Sequence, residues 1–358
     1  MPEISIGVVI VTFNSGSEAV DCAETLLASA QAAGVPLRVA LVDNASTDDT
    51  LPRLQAWASG EEPYKPPPEV PFTVQTVPKP LAYTEGGAAL PPSDGEAMLQ
   101  AALIQTGENR GFAGGVNAGL AYLAQYPDIR HFWVLNPDSL VPPETVGRLA
   151  ARLAEGDAYS LMGGRVNYLD PPGLIQIDGG LVNWKTGVTS NFNIREPSAS
   201  APPPDPAGLD FITGASMVAS REFYEIAGPM REDYFLYYEE VDWAMRRGAL
   251  PLAYCAGMDV FHRAGTSIGS PTPNRPATPL SQYFKHRGRI RFLRRFRPAN
   301  LPFAYLYSLA YTAKMLSVRA WPEAWAVVTA MLGLKAPAAI RRRLGPAAAK
   351  LAFGPPQE

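Results

Sequence analysis

The sequence predicts an α/β protein built on a doubly wound, mostly parallel sheet. Three observations predict it. Short apolar runs rich in Ile and Val alternate with helical stretches from residue 4 to residue 154. The runs are continuously apolar, which is how strands buried on both faces read. Each run stops at a polar turn: Asn14, Asp43, Arg110 and Asn136-Pro137-Asp138.

The elements follow in order. Residues 4–12 form the first strand, and a helical pattern covers 18–33. Residues 37–43 form the second strand, ending on Asp43, and Ser46, Thr47, Asp48 and Asp49 supply N-cap candidates for a helix running to Trp57. Nine prolines then exclude a regular helix over 59–95. Within this stretch 72–77 reads as an edge strand and the rest as a surface insertion. Residues 101–106 resume the sheet, a turn covers 108–111, and a helix covers 114–126. Residues 132–135 form a central strand, followed by a helix from 143 to 154 with proline in its first turn. Residues 195–208 form a proline-rich loop and 209–218 a further strand. From Tyr283 the chain turns basic, aromatic and helical, and no internal repeat is visible.

Composition narrows the class. Hydrophobic residues at 47% and charged residues at 18% sustain a full core and exclude global disorder. Two cysteines, Cys22 and Cys255, exclude a disulfide framework or a zinc cluster and predict a reducing compartment. Met1-Pro2-Glu3-Ile4 lacks the basic region of a secretory signal, and no uncharged apolar run reaches the roughly 18 residues of a membrane span. A cytoplasmic protein is expected. The net charge of −3 is uneven: from Phe284 onward there are 14 basic and 2 acidic residues, against 17 and 32 before it. Such a tail meets something anionic, such as a membrane surface, or is a solvated basic helix. Nucleic acid is not expected, since no RNA or DNA motif accompanies the arginines.

Open α/β sheets bind ligands beyond the carboxyl ends of their strands. Asn14, Asp43, Arg110 and the Asn136/Asp138 pair all fall there, which points to one pocket. Asp43 can accept from a base N–H, and Arg110 can offer a forked donor to a diphosphate. Ordinary turn chemistry for Asp43 and Asn44, and a surface ion pair for Arg110, stay open. Residues 111–119 are glycine-rich at a strand-to-helix junction, where backbone can approach a ligand closely. They have neither the dinucleotide fingerprint nor a P-loop lysine.

Asn136 and Asp138 can share a divalent cation that also binds phosphates, Mg²⁺ or Mn²⁺ by their oxygen chemistry, unless they are an Asn-Pro turn with a capping Asp. Glu239, Glu240 and Asp242 follow an aromatic run at 234–238. Carboxylates crowded in an apolar setting raise at least one pKa, as a general base requires; acids complementing a helix dipole are the other reading. His262 ends an apolar stretch and is a further metal ligand or a packed histidine.

Together these pieces resemble the inverting glycosyltransferases of family 2, with the nucleotide-diphospho-sugar transferase (GT-A) fold, and most nearly their rhamnosyltransferase-like branch. The resemblance rests on 8–14, 42–48, 108–117, 135–138, 211–215, 235–242 and His262, in family order. Tyr283 to Arg287 loosely resembles the tyrosine-rich segment that follows the catalytic core. The resemblance implies that Thr12, Asn14, Asp43, Asn109, Arg110, Gly115, Asn117 and Asn136 hold the nucleotide-sugar. It implies that Asn136, Asp138 and His262 hold the metal, that Glu240 is the base, and that Glu239 and Asp242 shape the acceptor side. Asn136 replaces the first Asp of the family's D-x-D, and Glu240 stands where an Asp is usual. A GT-A catalytic unit is expected over 1–270, with a nucleotide-binding half at 1–140 and an acceptor half at 141–270, followed by a basic helical region at 271–358. The implied donor is a dTDP- or UDP-sugar and the acceptor a glycan or lipid-linked sugar of cell-surface polysaccharide biosynthesis. The implied place of work is the cytoplasm, at the inner face of the membrane. The arginines at 287, 289, 291, 294, 295 and 297 are candidates for membrane contact, and an oligomer is compatible with the sequence. A non-catalytic nucleotide-sugar sensor or scaffold and a sugar-phosphate nucleotidyltransferase are the alternatives. The first would need no base and the second would need a glycine-rich N-terminal loop that is missing here.

Overall fold

A computed structural model of the chain describes residues 5–93, 97–263, 277–344 and 346–353. The readings of Met1 to Ile4, the end of the 59–95 insertion and the boundary at 270/271 lie outside the described residues.

Strands β1 (Ile6–Thr12) and β2 (Leu37–Asp43) lie parallel, with Thr12 opposite Asp43. Helix α1 (Gly16–Ala33) joins them and α2 (Thr50–Ser59) follows. Val9, Val11, Ala40 and Val42 enter one core, while Ile6, Val8, Ile10, Val39 and Leu41 enter another on the opposite face. The period of two, apolar on both sides, explains why these strands read as unbroken hydrophobic runs.

The sheet edge differs from the expectation. Residues 72–77 are not a strand; the edge is β3 (Ala82–Gly87), parallel to β4 (Leu99–Gln105). The reason is a fully buried carboxylate. Glu24 on α1 accepts from the Val77 N–H at 2.8 Å, the Trp57 indole at 2.7 Å and the Lys79 ammonium at 2.7 Å. Residues 77–79 are thus strapped across α1 and α2 instead of joining the ladder.

Helix α3 (Gly111–Leu123), β5 (His131–Leu135), β6 (Ser139–Leu140) and α4 (Thr145–Leu153) come next. Short strands β7 (Leu161–Gly163), β8 (Val166–Tyr168), β9 (Ile175–Ile177), β10 (Gly180–Asn183) and β11 (Val188–Asn191) lead to β12 (Ser216–Ser220). The strand expected over 209–218 starts only at Ser216, because 213–215 turn back and the Ser216 N–H donates to the Thr213 carbonyl at 3.3 Å. Helices α5 (Arg221–Ala227) and α6 (Glu239–Met245) precede β13 (Ala253–Tyr254) and β14 (Val260–His262).

The main sheet runs β13-β7-β12-β5-β1-β2-β4-β3. It is parallel from β5 to β3, while β12 runs against both of its neighbours. Helix α3 covers one face, and α1, α2 and α4 the other. This is the doubly wound α/β sheet expected. A second sheet, β6-β14-β8-β9, stands beside it.

Five helices close the chain: α7 (Pro279–Phe296), α8 (Leu301–Ser317), α9 (Trp321–Met331), α10 (Ala338–Leu344) and α11 (Pro346–Phe353). They pack on Phe235 and Leu236 through Leu280, Tyr283, Phe284, Ala326 and Ala330. Several arginines of α7 turn inward. Arg295 reaches Asp242 at 2.7 Å and Asp233 at 3.3 Å, Arg291 bonds the Asp233 carbonyl, and Arg289 reaches Ser308 at 2.6 Å. Arg294, Arg295 and Arg297 remain exposed, Arg295 with its guanidinium turned onto the two acids. Two of the arginines expected at a membrane, Arg291 and Arg295, thus meet carboxylates of the protein itself.

Candidate active site

The carboxyl ends of β1, β2, β4 and β5 bring four loops to one edge. Asn14 takes a left-handed backbone, φ +52°. Its Oδ1 accepts from the Thr47 N–H at 2.8 Å, and its own N–H donates to Ser46 Oγ at 2.9 Å, stapling the first loop to the second. Thr12 Oγ1 and Ser15 Oγ share a hydrogen bond of 2.9 Å. Asp43 is buried, and its Oδ1 accepts from the Ser46 N–H at 3.2 Å. Asn44 is the hub that sequence reasoning left to the turn. Its amide donates to the Gly111 carbonyl at 2.9 Å and to Asn109 Oδ1 at 3.3 Å. Its oxygen accepts from the Arg110 N–H at 3.1 Å and from Thr106 Oγ1 at 3.2 Å.

Three residues expected on the nucleotide have partners or close packing within the protein. Arg110 Nη2 meets both carboxylate oxygens of Glu232, at 3.0 and 2.9 Å. Asn117 donates to Glu232 at 3.0 Å and to the Met230 carbonyl at 2.9 Å, and accepts from the Met230 N–H at 2.8 Å. A methyl at Gly115 would come 2.4 Å from Val11 Cγ1, so the glycine is what lets α3 press onto β1. Glycine at 111 has a different cause: φ is +72°, and a Cβ would meet the Phe235 carbonyl at 2.4 Å. These residues fasten the helix α3 end to residues 230–235.

The second sheet delivers the metal candidates. β14 pairs antiparallel with β6, placing His262 opposite Ser139, one residue from Asp138. His262 Nε2 lies 2.9 Å from Asp138 Oδ1 and 3.2 Å from Asn136 Nδ2, while Nδ1 contacts Gln176 Oε1 at 2.9 Å. With the Nδ1–H donating to Gln176, a neutral ring keeps its Nε2 lone pair toward Asp138 and Asn136, as metal ligation requires. Turning the Asn136 amide over offers its oxygen to the same point. A carboxylate, an imidazole and an amide oxygen fit a Mg²⁺- or Mn²⁺-type ion that keeps several waters. No group of three His, Cys, Asp or Glu suited to a metal occurs among the described residues, so the amide of Asn136 is needed to make the set. Gln176 carried no sequence signal.

The carboxylate cluster follows a strained stretch. Phe235, Tyr237 and Tyr238 have φ of +66°, +65° and +75°. Each such non-glycine conformation costs on the order of 1 kcal/mol or more, and such strain gathers at functional sites. Glu240, in the first turn of α6, is half-buried. Burial raises its pKa while the Lys285 ammonium lowers it. Glu239 is buried, and burial with the Glu240 charge pushes it well above the usual carboxylate range. Its Oε2 has no hydrogen-bond partner among the described residues.

Asp242, expected on the acceptor side, is instead a structural ion-pair centre. Fully buried, it takes Arg295 at 2.7 Å, Arg246 at 2.9 Å and the Tyr234 hydroxyl at 3.0 Å. Helical geometry explains the split: two residues on from Glu240, it points to the other side of α6.

The turn at 213–215 lies between Asn136 and Glu240. The Asn136 N–H donates to the Ala215 carbonyl at 3.0 Å. The preceding Gly214 abuts Glu240, whose Cβ would lie 4.0 Å from a methyl placed there. Beyond Glu240 opens a cavity of about 640 Å³, lined by Tyr237, Tyr238, Gln282, Lys285, Tyr307 and Tyr311 among others. The pKa of half-buried Lys285 is brought down to about 8 by burial, against the pull of Glu240. Tyrosine rings and hydrogen-bonding side chains together suit a sugar, with apolar ring faces and polar rims.

Residues 97–210 match the family model described as Glycosyl transferase family 2, which covers Asn109, Arg110, Asn136 and Asp138. The low-salt glycan biosynthesis hexosyltransferase Agl10 of Haloferax volcanii is 23% identical over 230 residues, 61% of this chain and 66% of that protein. The match thus spans just under two thirds of that relative's length. Among solved structures, mannosyltransferase PcManGT from Pyrobaculum calidifontis, in complex with GDP-Man and Mn²⁺, is 13% identical with a TM-score of 0.47, covering 91% of this chain and 86% of its own. S. aureus TarS 1-349, in complex with UDP-GlcNAc, is 12% identical with a TM-score of 0.49, covering 98% and 84%. The chain thus carries a GT-A-like α/β fold in which residues 97–210 match the glycosyl transferase family 2 model.

Proposed function

We propose that this chain is an inverting glycosyltransferase. It moves a sugar from a nucleotide-diphospho-sugar to a hydroxyl of a glycan or lipid-linked acceptor. The family match and the hexosyltransferase relative support glycosyl transfer. The observation that supports the reading is that Asn136 and Glu240 both border the 213–215 turn, Asn136 through its N–H on the Ala215 carbonyl and Glu240 through its Cβ beside Gly214. The donor is a dTDP- or UDP-sugar, rhamnose by the branch resemblance, and the work is done in the cytoplasm at the inner face of the membrane.

In this reading Thr12, Asn14, Asp43 and Asn109 frame the nucleotide. Arg110, locked on Glu232, lends its charge to the rim. Asn136, Asp138 and His262 would hold a divalent cation, which when bound offsets charge on the diphosphate. Glu240 takes the proton from the acceptor hydroxyl as that oxygen bonds to the anomeric carbon. The bond to the diphosphate oxygen breaks on the opposite face, its electron pair leaves with the nucleotide diphosphate, and configuration inverts. Burial suits Glu240 to this work, since a raised carboxylate is a stronger base. The test is transfer and donor hydrolysis with Mn²⁺ across a panel of nucleotide-sugars. Turnover of one donor is expected; binding without turnover of any donor would favour the sensor alternative.

A further inference from the structure

Helix α8 is inside out. Its inward stripe, Ala304, Ser308 and Thr312, is small and largely polar. Ser308 Oγ donates to the Ala304 carbonyl at 3.0 Å, and Thr312 Oγ1 to the Ser308 carbonyl at 2.9 Å. Its outward stripe, at the same helical spacing, carries Phe303, Leu306, Leu309 and Leu316, with Leu306 61% exposed. A helix facing water has the reverse pattern. Next to it α9 turns out Trp321 and Trp325, 62% and 57% exposed, and Val318, Leu332 and Leu334 extend the same region. Of the large apolar side chains exposed among the described residues, only Met98, Ile194 and Ile226 lie elsewhere. So concentrated an apolar surface marks a partner.

Charge selects the partner. Residues 301–344 hold Lys314, Arg319, Lys335, Arg341, Arg342 and Arg343 against the single acid Glu323. A second copy on a two-fold axis would bring like charges together, which costs binding. Anionic lipid headgroups complement them, and exposed tryptophans prefer the headgroup layer. No described helix is long and apolar enough to cross a membrane, so the face lies along the surface.

We propose that the outward faces of α8 and α9 form a monotopic docking surface seated on an anionic bilayer. This deepens the membrane-edge part of the function proposed above and rests on it for the choice of lipid. It also replaces the α7 arginines with a different set of residues. Val318 belongs to this face and also lines the cavity that contains Glu240, so the cavity borders the docking face.

The full chain is sedimented with sucrose-loaded phosphatidylcholine vesicles, with and without phosphatidylglycerol. Partition onto the anionic vesicles is expected to exceed that onto neutral ones at least tenfold. L306E/L309E and W321A/W325A are each expected to lower it at least tenfold while melting at the wild-type temperature, because these side chains support no core. Absence of anionic-vesicle binding, or unchanged binding by both variants, overturns the proposal. So does a lipid-free dimer in sedimentation velocity that L306E/L309E splits, since the face would then belong to a second copy. Nucleotide-sugar binding is measured alongside by calorimetry: its absence in a chain that still binds vesicles counts against the transferase reading and leaves the docking surface standing.

Discussion

His262 Nε2 lies 2.9 Å from Asp138 Oδ1, joining the end of the main sheet to the second sheet. Gln176 Oε1, 2.9 Å from Nδ1, fixes the ring. The arrangement sets an order of importance among the residues that hold it.

Asp138→Ala and His262→Ala are each expected to abolish most of the gain in nucleotide-sugar affinity given by Mn²⁺. Gln176→Leu, which only frees the ring, is expected to weaken metal affinity about tenfold. Calorimetry with and without Mn²⁺ measures both; unchanged Mn²⁺ dependence in Asp138→Ala contradicts the assignment.

Glu240→Gln keeps shape and removes the base. Transfer is expected to fall about 10²- to 10⁴-fold, with donor affinity preserved. Glu239 already holds its proton to higher pH than an ordinary carboxylate. Glu239→Gln is therefore expected to be far milder, and steady-state transfer rates for the two variants separate the roles.

The acid limb of the pH profile follows from the same pair. Transfer needs ionised Glu240, so it falls as pH drops through a pKa that burial has raised. The Lys285 ammonium lowers that pKa, so Lys285→Met is expected to move the acid limb to higher pH. Lys285 itself loses charge through about 8, which relaxes its hold on Glu240 in alkali. Log kcat/KM against pH for both proteins tests the sign; a limb moved to lower pH would refute it.

Asp242→Asn tests a structural role. It leaves Arg246 and Arg295 without their common carboxylate. Removing one partner of a buried ion pair costs about 3 kcal/mol or more. A lowered Tm with nucleotide-sugar affinity retained is the expected result, read by circular dichroism and calorimetry.

Much of the fold was legible because β1, β2 and β5 are apolar on both faces and end at polar turns. That Asn14, Asp43, Arg110 and Asn136 share one edge was legible for the same reason: strand ends are positions that topology places together. The edge strand was not. Residues 72–77 have the better strand composition, yet Glu24 pulls 77–79 aside and glycine-containing β3 is held by its ladder to β4. Pairwise choices were also hidden. Nothing local tells Arg110 that its partner is Glu232, or His262 that its partner is Gln176, since both depend on how distant segments stack. Asp242 was misjudged because adjacency in sequence puts successive residues of a helix on different sides.

The inward arginines of α7 have a consequence for any attempt to trim the chain. They neutralise Asp233 and Asp242, on either side of the left-handed stretch that leads to Glu240, while Phe284 stacks on Phe235. A fragment stopping ahead of α7 would take Arg295 away from Asp233, leave Asp242 with Arg246 but without Arg295, and bare a greasy flank. A trimmed chain that keeps these pairs thus extends at least through Phe296, and chimeras that exchange the C-terminal helices must carry matching acids with them.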